Sequence, residues 1–220
     1  MTADQRIKIP ARALVGVIAS IDELRLASRM RAPPDLFELR LDHLPNLPES
    51  QLSRLRRPLI VTARHPAEGG KKCNRKRLLR QFLPYARFVD IELRSMPELR
   101  EIWAEAGRLG VGRICSVHDF RRTPDLSILR KQFSRSRKIN ANIFKLVTRA
   151  DSVRDLLTLF EFLWRHRALM PVSVMAVGKL GPISRLLLRE AGSKFIYAPL
   201  RHALYEGQLT LGQLRRHRDF

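Results

Sequence analysis

The sequence predicts an α/β chain, folded over residues 1–220 as one (β/α)8 TIM barrel. Eight short runs rich in apolar and β-branched residues recur along it, each bounded by turn signals. Stretches with helical spacing or helix-start residues separate them. Such alternation implies a parallel sheet with right-handed crossovers, and eight units in a chain of this size close most economically into a barrel. A doubly wound open sheet is the alternative. No GxGxxG follows the first run and no GxxxxGK[ST] occurs, so its nucleotide-binding forms lack their usual evidence.

The first predicted strand, LVGVIAS from Leu14, leads to a helix over Asp22 to Met30. LFELRLD from Leu36 is followed by a helix over Glu49 to Arg56, and LIVTARH from Leu59 by one over Arg75 to Tyr85. FVDIELR from Phe88 precedes Pro97 to Leu109, and GRICSVHDF from Gly112 precedes Pro124 to Phe133. IFKLVTRA from Ile143 feeds Ser152 to Trp164, and PVSVMAVG from Pro171 feeds Ile183 to Glu190. KFIYAPL from Lys194 is the eighth strand, and Leu211 to Arg216 the eighth helix.

Composition bounds the function. The 45% apolar content is that of a globular chain, and no apolar run approaches the roughly 20 residues that span a bilayer. The first residues, MTADQRIKIPARALVGVIAS, lack a signal-peptide core, so a soluble cytoplasmic protein is expected. Cys73 and Cys115 have neither metal-ligand spacing nor disulfide density. Lys and Arg number 42 against 21 Asp and Glu, a net charge of +21 that attracts polyanions. The basic residues are nevertheless scattered, with short clusters at Lys71-Lys72, Arg75 to Arg77 and Arg215 to Arg218, and no aromatic series for base stacking accompanies them. A solvated basic surface is the expectation, and nucleic acid is not the expected partner.

In a barrel neither face of a strand meets bulk water. If Phe37, Leu39 and Leu41 pack on helices, Glu38 and Arg40 enter the lumen. The same alternation sends in Thr62 and Arg64, Asp90 and Glu92, Ser116 and His118, and Lys145. So many buried charges are costly unless mutually paired or serving a site; a purely structural ion-pair network is the competing reading. Asp90 and Glu92 are expected to partner Arg40 and Arg64. Met175, Trp103, Trp164 and Tyr197 are assigned to core packing.

A lysine desolvated near other cations has its neutral amine favoured, and that amine attacks carbonyls to form a Schiff base. Lys145 is therefore the candidate nucleophile. His118, near a strand end, suits proton transfer near neutrality. Asp119 faces away from it, whereas Glu68, in the AEGG loop after the third strand, is placed to orient the imidazole. Arg185, just after a Gly-rich turn at a loop–helix junction, suits a carboxylate or phosphate. The residues read as a Schiff-base lyase acting on a carboxylated ketone.

The motifs FELRLD, TARHPAEGG, VDIEL, SVHDFRRTP, FKLVTRADS and MAVGKLGPISR, with Gly192-Ser193 and GQLT at Gln208, resemble in order and spacing the type I 3-dehydroquinate dehydratases, over nearly the whole chain. The resemblance implies dehydration of 3-dehydroquinate to 3-dehydroshikimate in the shikimate pathway. Lys145 would form an imine with the C3 ketone, His118 would move the protons, and Glu68 would hold His118. Arg185 and Gln208 would bind the carboxylate, and Glu38, Arg40 and Arg64 would surround the ring hydroxyls. It further implies a homodimer and no metal or cofactor. The last loop departs from the family pattern: Leu204, Tyr205 and Glu206 stand where small residues and a hydroxyl are usual, which keeps open a Schiff-base barrel enzyme of the aldolase type with another ketone. A basic nucleic-acid-binding barrel without the chemistry is the third reading.

Overall fold

A computed structural model describes residues 7–216. The first six residues, part of the stretch read for a signal peptide, and His217 and Arg218 of the last basic cluster lie outside the described residues. Eight strands run β1 (Ala13–Ile18), β2 (Leu36–Arg40), β3 (Leu59–Thr62), β4 (Phe88–Glu92), β5 (Gly112–Asp119), β6 (Ile143–Arg149), β7 (Val172–Val177) and β8 (Phe195–Pro199). The helices between and after them are α1 (Ile21–Arg29), α2 (Arg75–Phe82), α3 (Met96–Arg108), α4 (Leu126–Lys138), α5 (Val153–His166), α6 (Gly181–Glu190) and α7 (Leu211–Arg216).

Every pairing is parallel, in the order β7-β6-β5-β4-β3-β2-β1-β8, so the last strand zips onto the first and the sheet curls into a nearly closed ring. The remaining junction, β7 against β8, has one backbone bond at its start, Lys194 N donating to Val172 O at 2.9 Å, and is bridged beyond it by serines in place of a ladder. Ser193 Oγ accepts from Val174 N at 2.8 Å, and Ser173 Oγ accepts from Phe195 N at 3.0 Å. Ser184 Oγ, from α6, accepts from Ala176 N at 3.0 Å and donates to Gly181 O at 2.7 Å. Hydroxyls thus satisfy backbone donors of β7 that have no strand partner.

Alternation along the strands builds two cores. Phe37, Leu39, Leu41, Val61, Val89 and Ile91 face the helices, while the amino-terminal half of the lumen is filled by Val15, Ile60, Phe88, Ile114, Ile143 and Phe195. The Phe88 and Phe195 rings meet edge to face at 5.5 Å and plug the floor. Gly112 makes room for them, since a Cβ there would lie 2.2 Å from the Phe88 ring. Charged side chains therefore collect in the carboxyl-terminal half, where barrel enzymes carry their sites.

Three expectations change. The helix over Glu49 to Arg56 is a short 3-10 segment, Glu49–Arg54, because Pro45 and Pro48 on one side and Pro58 on the other leave too little chain for an α-helix. α4 runs on to Lys138, five residues beyond the predicted end at Phe133. Trp164 is not core: it is 56% exposed, stacked on Phe160 and carrying the Arg167 guanidinium 3.8 Å from its ring. α5 is apolar on two faces, and periodicity alone does not say which one is covered. Trp103 is buried as expected, its indole N–H donating to Ile139 O at 2.8 Å.

Candidate active site

The eight residues singled out in the sequence, Glu38, Arg40, Arg64, Glu68, His118, Lys145, Arg185 and Gln208, all line one cleft at the carboxyl-terminal mouth, of about 530 Å³ with its opening included. Lys145 projects from β6 into the lumen. Its Nζ lies 2.8 Å from Asp90 Oδ2 and 3.0 Å from Glu38 Oε2, and 3.6 Å from the centre of the Tyr197 ring. The expected cationic neighbourhood is thereby corrected, because carboxylates are its direct partners and Arg64 reaches it only through Asp90, at 3.5 Å. Burial alone would raise the Asp90 pKa, but Lys145 and Arg64 outweigh it and hold the carboxyl below its usual range.

His118 closes β5, and its side chain is 4% exposed. Nδ1 sits 2.8 Å from Glu68 Oε2, the partner expected for it, while Asp119 turns away to accept from the Arg121 and Arg122 amides. Arg64 Nη1 lies 2.8 Å from Nδ1 and 2.5 Å from Nε2, over the imidazole. Burial, then the charges of Arg64, Lys145 and Arg40, hold the His118 pKa well below its usual value, so the ring is neutral near pH 7. Burial and the nearby Glu92 push the Glu68 carboxyl up to about 7.

Arg40, expected to pair with Asp90 or Glu92, pairs with neither. Asp42 takes its guanidinium in a two-point fork, at 3.0 and 2.9 Å, and Gly69 O accepts from it at 3.2 Å. Burial opposes ionisation of Asp42, but the Arg40 fork and the backbone N–H groups of Arg64 and Lys71 keep its pKa low. Glu92 belongs to Arg75, which reaches in from α2 at 2.6 Å, with Arg64 at 3.8 Å.

Arg185 is 1% exposed with no carboxylate beside it among the described residues; its Nη1 donates to the carbonyls of Ala176, Gly181 and Gly207. Burial pulls its pKa down to about 10, the signature of a cation without a counter-charge. Gln208 Oε1 accepts from Leu204 N at 2.9 Å, so its oxygen is engaged inside its own loop and its NH2 donors suit an anion.

Five participants were given no site role from the sequence, Tyr205 having been noted only as part of the departure in the last loop. Asp42 and Arg75 hold the charged residues in place, and Tyr197, assigned to ordinary core, forms the wall against Lys145. Phe120 and Tyr205 line the mouth. Asp42 falls two residues after Arg40 in the FELRLD alternation, so its lumen side was legible; Tyr205 lies in a loop whose path carries no periodic signal.

Strands closed into a ring, with buried charges gathered at their carboxyl ends, define a (β/α)8-barrel enzyme. The chain belongs to the type I 3-dehydroquinase family, whose model matches residues 17–219. A 3-dehydroquinate dehydratase of Thermodesulfovibrio yellowstonii is 31% identical over 213 residues, covering 92% of each chain. One of Methanocella arvoryzae is 32% identical, covering 91% of this chain and 93% of that one. The crystal structure of the 3-dehydroquinate dehydratase from Aquifex aeolicus superposes with a TM-score of 0.80 at 26% identity, over 94% of this chain and 98% of that one.

Proposed function

We propose that this chain dehydrates 3-dehydroquinate to 3-dehydroshikimate and water, in the shikimate pathway, through an imine on Lys145. The observation that carries this reading is the convergence of Lys145, the Glu68–His118 pair and the uncompensated Arg185 on one cleft. The Lys145 amine, its proton passed to a neighbouring base, attacks the C3 carbonyl, and loss of water gives the iminium, which draws electrons from the C2–H bond. His118 takes the C2 proton and the pair of electrons moves to nitrogen as an enamine. The enamine returns them to expel the C1 hydroxyl, which His118 protonates as it leaves as water. Hydrolysis of the imine frees the product and the lysine.

Glu68 fixes the imidazole by accepting from Nδ1–H, leaving Nε2 as the base. Arg185 and Gln208 hold the carboxylate, Arg185 gaining the anion it lacks, and Glu38, Arg40 and Arg64 meet the ring hydroxyls. The imine nitrogen supplies the electron sink, so this scheme calls for no added cofactor.

The reading extends to a cytoplasmic homodimer. Among the described residues no helix is long and apolar enough to cross a membrane. Leu157, Phe160 and Trp164 on α5 and Ile183 and Leu187 on α6 form an exposed apolar face suited to a second copy.

Mixing the protein with 3-dehydroquinate and sodium borohydride, then mapping the adduct by mass, tests the mechanism. A reduced adduct on Lys145 is expected; a folded protein with no adduct would sink it.

A further inference from the structure

The loop after β8 does more than carry Gln208. Tyr205 leaves it to stack flat on Phe120, with ring centroids 4.2 Å apart and planes at 12°, and the Phe120 ring lies 5.8 Å from that of His118. The phenol reaches the opposite rim so closely that a Cβ on Gly69 would fall 2.1 Å from its oxygen. One side chain thus reaches from the β8 rim to the β3 rim, stacked on the ring that neighbours the histidine.

The loop is tied down on both sides of this residue. Glu206 O accepts from Gly178 N at 2.8 Å, and the Glu206 carboxylate pairs with Arg149 at 2.5 Å, itself held by Asp151. Gly207 packs so tightly that a Cβ there would lie 1.9 Å from Gly178 O, and its own carbonyl accepts from Arg185. Tyr205 is half-buried, its ring and that of Phe120 packed against the edge of the lumen core.

We propose that Tyr205 is a positioning and specificity-determining residue of this site: its stack on Phe120 roofs the cleft, shutting water from His118 and limiting the mouth to one compact ring. It acts through Phe120 and touches no reacting atom. Groups facing His118 arrive from every neighbouring strand: Glu68 and Arg64 from β3 and its loop, Arg40 from β2, Lys145 from β6, and Asp90 and Glu92 of β4 through Arg64. Of these only Glu68 favours the imidazolium by direct contact, so water exclusion by the roof reinforces the bias toward a neutral base.

The proposal rests on the dehydratase reading for its kinetic arm alone. Tyr205→Phe keeps the stack and loses only the hydroxyl at the Gly69 rim, so its KM is expected to stay nearer the parent's than that of Tyr205→Ala. Tyr205→Ala is expected to raise KM for 3-dehydroquinate about tenfold with kcat within about threefold, as for a lost closing element. In the substrate-free chain the same variant shifts the His118 titration, followed by imidazole NMR, to higher pH. Glu206→Gln, which loosens the loop and keeps the ring, moves both readouts the same way by no more than about threefold in KM. Unchanged KM and unchanged His118 titration in Tyr205→Ala would overturn the proposal, as would a Tyr205→Phe variant as impaired as Tyr205→Ala. Were 3-dehydroquinate not turned over by the parent, the dehydratase reading would fall, and the His118 titration would still decide the role of Tyr205.

Discussion

Arg64 lays its guanidinium over the imidazole of His118, with Nη1 2.5 Å from Nε2. The proposed base nitrogen is therefore capped by a cation in the resting site. Removing that charge as Arg64→Gln is expected to raise the pH at which His118 titrates, since burial and then Arg64 are the foremost causes of its depression. Imidazole chemical shifts against pH measure it. A downward shift, or none, would contradict the contact.

Glu68 ties activity to pH in the opposite sense. Its carboxyl is pushed up to about 7, and the carboxylate accepts from Nδ1–H more strongly than the neutral acid and so makes Nε2 more basic. Activity should fall as pH drops through about 7, and Glu68→Gln should lose most of the activity while flattening that limb. A pH–rate profile of both proteins checks this.

The same residue costs stability. A carboxyl whose pKa is about 7 folded and 4.5 unfolded stabilises the fold fully below pH 4.5, and that contribution is lost as pH rises through 7. Glu68→Gln is expected to be more stable than the parent at pH 8, by at most about 3 kcal/mol, with little gain at pH 4. Denaturant titrations at the two pH values decide it.

Lys145→Ala should abolish activity and borohydride trapping, and also destabilise the fold. Asp90 and Glu38 are buried and share this ammonium, and breaking such a pair costs about 3–5 kcal/mol. The deficit should shrink in acid as Asp90, its carboxyl no longer held down by this ammonium, takes up a proton. Thermal melts at pH 4 and pH 7.5 are the measurement.

Trp164→Glu places a charge in the exposed apolar face of α5 and α6. Sedimentation should find a dimer for the parent and a monomer for the variant, with helical content unchanged. A parent that sediments as a monomer would remove this face as the interface.

Much of the fold was legible because strand alternation is a local property. Phe37, Leu39 and Leu41 against Glu38 and Arg40 fixed which face looks inward, and the same logic located Lys145 and His118. Pairing was harder to read, since it depends on which strands are neighbours and how far a side chain reaches. Arg40 turned back to Asp42 on its own segment, and Arg75 entered from a helix whose basic run reads as surface. Trp164 was misread, and Tyr205 noted without its direction, for a related reason: neither a helix apolar on two faces nor an aperiodic loop states its orientation.

The serine-filled junction between β7 and β8 gives the ring a direction of least stiffness. Seven junctions are laddered, and opening any of them breaks a cooperative row of backbone bonds. Beyond one backbone bond, Lys194 N to Val172 O at 2.9 Å, the eighth yields by trading single hydroxyl bonds for water, so Val174 and Ala176 amides should exchange hydrogen sooner than those of β3 and β4. Arg185 and Gln208 follow the two strands of that compliant junction, while Lys145, Glu38 and His118 stand on the rigid arc. The barrel can thus breathe where it would admit and release a carboxylate and stay still where bonds would be made.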